Sequence, residues 1–209
     1  MTTNVLLPTM DIMVDIETLG LAGTSQILQI AAISYHRESG HIYGKFEGVV
    51  ELPDKIEVNP DTLLFWIKEN PVLLTSLMTR KSGQSEKDVV KAFADWIVYQ
   101  TESNYRVKDV VMLWGNGANF DNRIIFEKCQ AYGIDYPISY RNDRDFRTLV
   151  ELYIDITGDD YEKFKTKILG LAIEKCPSMI GRKFVKHDAL CDCVFQILQM
   201  IAMYTALAK

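Results

Sequence analysis

The first half of the chain reads as a strand meander, with apolar segments separated by polar or glycine-containing turns. Residues 11–16 form a short apolar, β-branched segment, and residues 27–35 and 41–52 repeat the pattern. Arg37, Glu38, Ser39 and Gly40 predict a turn between the second and third segments, and the glycine-punctuated stretch 19–25 a loop between the first two. At Asn59 and Pro60 the period becomes helical. An N-cap and a first-turn proline precede an apolar face of Leu63, Leu64, Trp66 and Ile67, and Asn70 with Pro71 is read as the end of that helix. Ser85 and Asp88 give a capping-box-like start to a helix carrying Val89, Val90, Phe93, Trp96 and Ile97. A compact strand is expected over 110–114 and a helix over 120–132, stopped by Gly133. Helices over 147–153, 165–175 and 188–208, broken by Gly158, Pro177 and Gly181, complete the chain.

With no internal repeat or shift of composition to mark a boundary, residues 1–209 read as one α/β domain. Its expected form is a mixed sheet led by an antiparallel three-strand meander, flanked by helices. A content of 48% hydrophobic residues supplies a sizeable core. The net charge of -5 argues against a broad basic surface that binds nucleic acid by electrostatics alone. It leaves room for an enzyme whose carboxylates are neutralised by bound metal. Cys129, Cys176, Cys191 and Cys193 form no CxxC pair and read as free thiols in a reducing compartment. No run near 18 apolar residues suggests a membrane span, and residues 1–10 lack a basic flank followed by an apolar run. A cytoplasmic protein is expected.

Three segments carry candidate chemistry. Side chains two apart share a face of a strand, so Asp15 and Glu17 project together at the end of the first strand, opposite Ile12, Val14 and Ile16. Adjacent carboxylates repel unless a cation sits between them, which is the case for a hard-metal site. Glu86/Asp88, Asp143/Asp145 and Asp160/Glu162 share the spacing, but only Asp15/Glu17 closes an apolar strand before a glycine loop. In the second segment, the strand ending at Trp114 runs through Gly115, Asn116, Gly117, Ala118, Asn119 and Phe120 to Asp121. Asp121 is then either a ligand or a first-turn acid favoured by the helix dipole. In the third, Asp188 reads as the N-cap of the last helix, with His187 just outside it. Leu190, Val194, Ile197, Ile201 and Tyr204 form the core stripe of that helix, and Asp192 lies nearly opposite; periodicity alone sends it to solvent.

The order Asp-x-Glu, Phe-Asp, His-x-Ala-x-x-Asp resembles the DEDDh family of 3′→5′ exonucleases, over about residues 11–200. Residues 63–66 and 145–149 look like the branch of phage exonuclease A and related bacterial exoribonucleases. The resemblance implies a ribonuclease H-like fold. It also implies two divalent cations, Mg2+ or Mn2+, on Asp15, Glu17, Asp121 and Asp192, with His187 as general base. Asn116 and Gly117 stand where many members carry His-Asn. Hydrolysis of single-stranded DNA or RNA from the 3′ end to nucleoside 5′-monophosphates follows, with DNA slightly preferred.

Thr18, Leu19, Phe65, Trp66, Asn119, Asp145 and Arg147 are the candidates for gripping the substrate, the apolar ones by wedging or stacking. Either Phe65 or Trp66 is equally a core residue, and Arg144, Asp145 and Arg147 fit a phosphate contact or a surface ion-pair cluster. Cys191 and Cys193 are expected only to pack. A degenerate nuclease-fold binding module and a metal-dependent nucleotide phosphohydrolase are the competing functions. The apolar last helix packs internally or against a second copy in a homodimer.

Overall fold

Strand β1, Met10–Thr18, is the axis of the computed structural model, which describes residues 10–103 and 111–208. β1 pairs antiparallel with β2, Ile27–His36, which pairs antiparallel with β3, Ile42–Val49. On its other side β1 pairs parallel with β4, Met112–Gly115, and β4 pairs parallel with β5, Asp143–Asp145. The order β3-β2-β1-β4-β5 is a meander extended by a parallel edge, the mixed sheet expected.

Alternation along β1 divides the core in two. Ile12, Val14 and Ile16 join the cluster of α3, Glu86–Ser103, and α4, Asp121–Tyr132, with Val89, Val90, Phe93, Ile124 and Ile125. Met13 joins Ala31, Ile33 and Tyr35 of β2 on the opposite face. There they meet α5, Phe146–Thr157, and α7, Ala189–Leu207, through Phe146, Val150, Val194 and Ile197. Asp15 and Glu17 continue the Met13 face, so they emerge where α5 and α7 cover the sheet. A third cluster, Leu19, Leu28, Trp66, Leu74 and Leu77, seats α1, Pro60–Glu69, and α2, Pro71–Met78, beside the end of β1. Each large side chain buried in this way contributes about 1.5–3 kcal/mol.

Several boundaries differ from those expected. Pro71 starts a helix as well as following one: Asn70 Oδ1 accepts the Leu73 N–H at 3.0 Å, so Asn70 caps α2 at the end of α1. Pro177 does not break α6, Tyr161–Ile180, because it lies in the last turn and forfeits only one ladder bond before Gly181 (φ +81) closes the helix. β5 has no apolar alternation and exists because β4 offers it a parallel edge. Val110, the first residue of the strand expected over 110–114, and the N-terminal residues 1–9 lie outside the described residues. By length and composition α7 could cross a membrane, yet it packs internally, against β1, β2, α5 and α6. All four cysteines are free and buried.

One buried polar knot joins the α3–α4 layer to the loop after β1. Glu86 accepts from Gln26 Nε2 at 2.7 Å, the Ile27 N–H at 2.8 Å and Tyr132 Oη at 2.7 Å, and pairs with Lys128 Nζ at 2.6 Å. Truncating it leaves Lys128 charged and buried with no carboxylate. Glu86→Ala is therefore expected to lower the unfolding free energy by about 3–5 kcal/mol, read as a reduced urea midpoint.

Candidate active site

The C-terminal end of β1 delivers Asp15 and Glu17 to the point where the N-termini of α4 and α7 converge. Asp192 comes from the first turn of α7, whose N-cap Asp188 accepts the Cys191 N–H at 3.0 Å. One ligand oxygen from each of Asp15, Glu17 and Asp192 lies within 4.8 Å of the other two. Asp121 sits behind this trio, 2% exposed, and its Oδ1 accepts the Ile16 N–H at 3.3 Å. A Cβ on Gly115 would stand 2.3 Å from Asn122 Oδ1 and 3.0 Å from Asp121 Cβ, so only glycine lets α4 bring Asp121 this close to β4.

Asp192 faces inward, contrary to the helical stripe, because α7 crosses the end of the sheet and is buried on more than one side. Cys193 Sγ touches the carbonyls of Met13 and Ala31, while Gln196 and Gln199 are buried as well. Gln196, one turn beyond Asp192, donates from Nε2 to Asp15 Oδ1 at 2.9 Å, and its Oε1 is buried with no hydrogen-bond partner. The i, i+4 spacing of Asp192 and Gln196 was the available signal for it.

Burial raises the pKa of Asp15, Glu17 and Asp192 well above the carboxylate range, and repulsion among these acids and Asp121 adds to it. Burial pushes Asp121 to about 7 against the opposing bond from Ile16. Among the described residues no Lys or Arg forms an ion pair with any of the four. An all-oxygen donor set of crowded, uncompensated carboxyls suits a hard divalent cation.

His187 flanks the acids. Its backbone N–H donates to Asp192 Oδ2 at 3.2 Å, and its ring Nδ1 lies 4.0 Å from the same oxygen. Burial lowers the imidazole pKa, partly offset by a bond to Glu69.

A groove of about 1000 Å3 opens from the acids, with α1 on one side and α5 and α6 on the other. Its walls hold some of the expected grips and not others. Thr18 lines it, with its hydroxyl donating to Gly20 O at 2.6 Å. Leu19 does not; it is 1% exposed in the third cluster, and the apolar residue presented by that loop is Leu21. Phe65 is 46% exposed and faces the groove. Trp66 lines the groove too but is 1% exposed and packs in the third cluster, its Nε1 donating to Thr18 O at 3.0 Å. Asn119 points to solvent, and Asn116 lines the groove instead. Asp145 is a cap, accepting the Arg147, Thr148 and Ala118 N–H groups, the last at 2.7 Å. Arg147 lines the groove, whereas Arg144 turns to the carbonyls of Arg141 and Asp143. Cys191 and Cys193 pack as expected.

The sequence profile of the 3′-5′ exoribonuclease Rv2179c-like domain matches residues 10–201. No curated protein matches the chain. Among solved structures, cell-death related nuclease 4 (CRN-4) superposes with a TM-score of 0.62 at 13% identity, over 96% of this chain and 65% of that one. The nuclease domain of 3′hExo, a DEDDh family member bound to rAMP, gives 0.57 at 14% identity, over 96% and 93%. The zinc-bound E. coli ExoI–ssDNA complex gives 0.56 at 17%, over 94% of this chain but 40% of its own. The chain thus has the ribonuclease H-like exonuclease fold, and spans less than two thirds of the length of two of these three.

Carboxyls whose folded pKa is raised bind more protons folded than unfolded between the unfolded and folded values, so stability falls as pH rises through that window. Metal-free protein is expected to lose thermal stability from pH 5 towards pH 8. Mg2+ or Mn2+ is expected to restore it more at pH 8 than at pH 5, by about 2.7 kcal/mol at a hundredfold excess over Kd. Thermal unfolding with and without the cation at both pH values measures this.

Proposed function

The chain belongs to the family of the 3′-5′ exoribonuclease Rv2179c-like domain, and from that premise we propose that it removes nucleoside 5′-monophosphates from the 3′ end of single-stranded nucleic acid with two divalent cations. The observation that carries the reading is the meeting of Asp15, Glu17 and Asp192 within 4.8 Å, with Asp121 behind them and His187 beside them. Cations held by the four carboxylates, Mg2+ or Mn2+, would supply charge compensation for the attacking and leaving oxygens and a lowered pKa for water. His187, kept below its ordinary pKa by burial, is neutral at physiological pH and takes the proton of the attacking water.

The rest of the groove grips the strand. The exposed ring of Phe65 is placed to stack on a base, and Leu21 offers an apolar rim on the opposite loop. Arg147, with no ion-pair partner among the described residues, is placed for a phosphate. The sequence alone favours DNA slightly; the family's description as exoribonucleases moves our preference to RNA. The rAMP in the 3′hExo structure is a nucleotide of the class such a site would release.

A 5′-labelled single-stranded RNA and its matched DNA, incubated with Mg2+ or Mn2+, test the reading together. A ladder shortening from the 3′ end, faster on RNA, is expected. Turnover of mononucleotide esters without shortening would identify a phosphohydrolase instead, and metal-independent binding without cleavage a degenerate module. Asp192→Asn and Asp121→Asn are each expected to lower the rate by about 10²–10³-fold while the protein stays folded by circular dichroism. His187→Ala is expected to lower kcat by about 10²–10⁴-fold. Arg147→Ala is expected to raise KM about tenfold with a smaller effect on kcat, the result of losing one charged contact of about 1.4 kcal/mol.

A further inference from the structure

Glu69 is the last residue of α1 and belongs to none of the acidic motifs. Its Oε2 lies 2.6 Å from Lys186 Nζ and 3.4 Å from His187 Nε2. The same end of α1 grips the loop before α7 at other points. Asn70 Nδ2 donates to Lys186 O at 2.8 Å, and the rings of Phe65 and Trp66 meet the imidazole edge-on at 5.1 and 6.2 Å. His187 needs this support, because among the described residues it is the one non-glycine with a positive φ, at +64. A residue with a Cβ keeps that conformation only where its surroundings over-determine it.

The pairing also fixes where the imidazole proton sits. A carboxylate only accepts hydrogen bonds, so the nitrogen facing Glu69 must carry the hydrogen, and a neutral ring then keeps its lone pair on the other nitrogen. That other nitrogen, Nδ1, lies 4.0 Å from Asp192 Oδ2, too far to donate a hydrogen bond to it. We propose that Glu69 is a positioning residue for His187: it holds the Nε2–H tautomer and aims Nδ1 at the acidic cluster as the proton acceptor. The relation is that of an orienting acid to a catalytic imidazole, with the roles of the two nitrogens set by the hydrogen bond to the acid. The inference rests on the reading of His187 as the general base.

The test pairs kinetics with spectroscopy on the full chain. Glu69→Ala is expected to lower kcat on the labelled RNA by about 10–100-fold with KM changed less than about twofold. Glu69→Gln, whose Oε1 can still accept from Nε2, is expected to keep most of the activity. The 15N shifts of the three imidazoles are expected to show His187 as the Nε2–H tautomer in the wild type and in Glu69→Gln, and as a mixture in Glu69→Ala. A wild-type kcat in a folded Glu69→Ala, or an Nδ1–H tautomer in the wild type, overturns the proposal. If Glu69→Ala fails to fold, a Glu69→Gln protein that has lost both the tautomer and the activity overturns it too. A wild type that shortens no 3′ end sinks the nuclease reading alone, and the tautomer then still reports whether Glu69 directs the imidazole.

Discussion

Four carboxyl groups are drawn together at one end of β1, largely buried, and among the described residues no lysine or arginine forms an ion pair with them. Isolated, such an arrangement opposes folding, since each buried charge is disfavoured by the protein around it and by its neighbours. The remaining architecture serves to impose it. β1 lies third in a five-stranded sheet, and its end is held by pairing with β2 through Thr18 and by the Ile16 N–H on Asp121. α7 is buried along most of its length, and α4 is seated on a glycine that lets it touch the strand beside it. Stability elsewhere in the core offsets a local cost that protonation relieves at low pH and that the proposed cations would relieve at higher pH.

Polar knots between elements maintain this geometry. Glu86 ties the loop after β1 to α3 and α4. Arg182 links Glu47 of β3 with Asp188, the cap of α7, at 2.9 and 2.6 Å. Asn70 caps α2 through its oxygen and holds Lys186 through its amide nitrogen. The Arg182 and Asn70 knots both hold the loop that leads into α7.

Much of the framework was legible in the sequence because local rules governed it. The meander, the capping box at Ser85 and Asp88 and the glycine stop at Gly133 follow from neighbours in the chain. Asp15 and Glu17 were legible from the two-residue period of a strand. Asp192 was not, because a helical stripe assigns one buried face and α7 has more than one. Leu19 was expected to wedge against a base, but the loop turns it inward against Trp66 and presents Leu21 instead. β5 and Glu69 left no trace in the sequence, since each depends on a partner far along the chain. At Asn70 and Pro71 the end of α1 was legible and the start of α2 was not, because one signal has two meanings.

Asp145 shows how such a fold can mislead. Its two oxygens cap α5 and hold the Ala118 N–H, so one side chain sets both the helix that carries Arg147 and the turn that leads to Asp121. Removing it would disturb the proposed phosphate contact and a proposed metal ligand at once, although the carboxylate itself does not line the groove. A survey of acidic residues scored by lost turnover alone would count Asp145 as a fifth member of the cluster. What separates a keystone from a reagent is the kind of damage: a keystone's loss loosens the groove before it slows the chemistry.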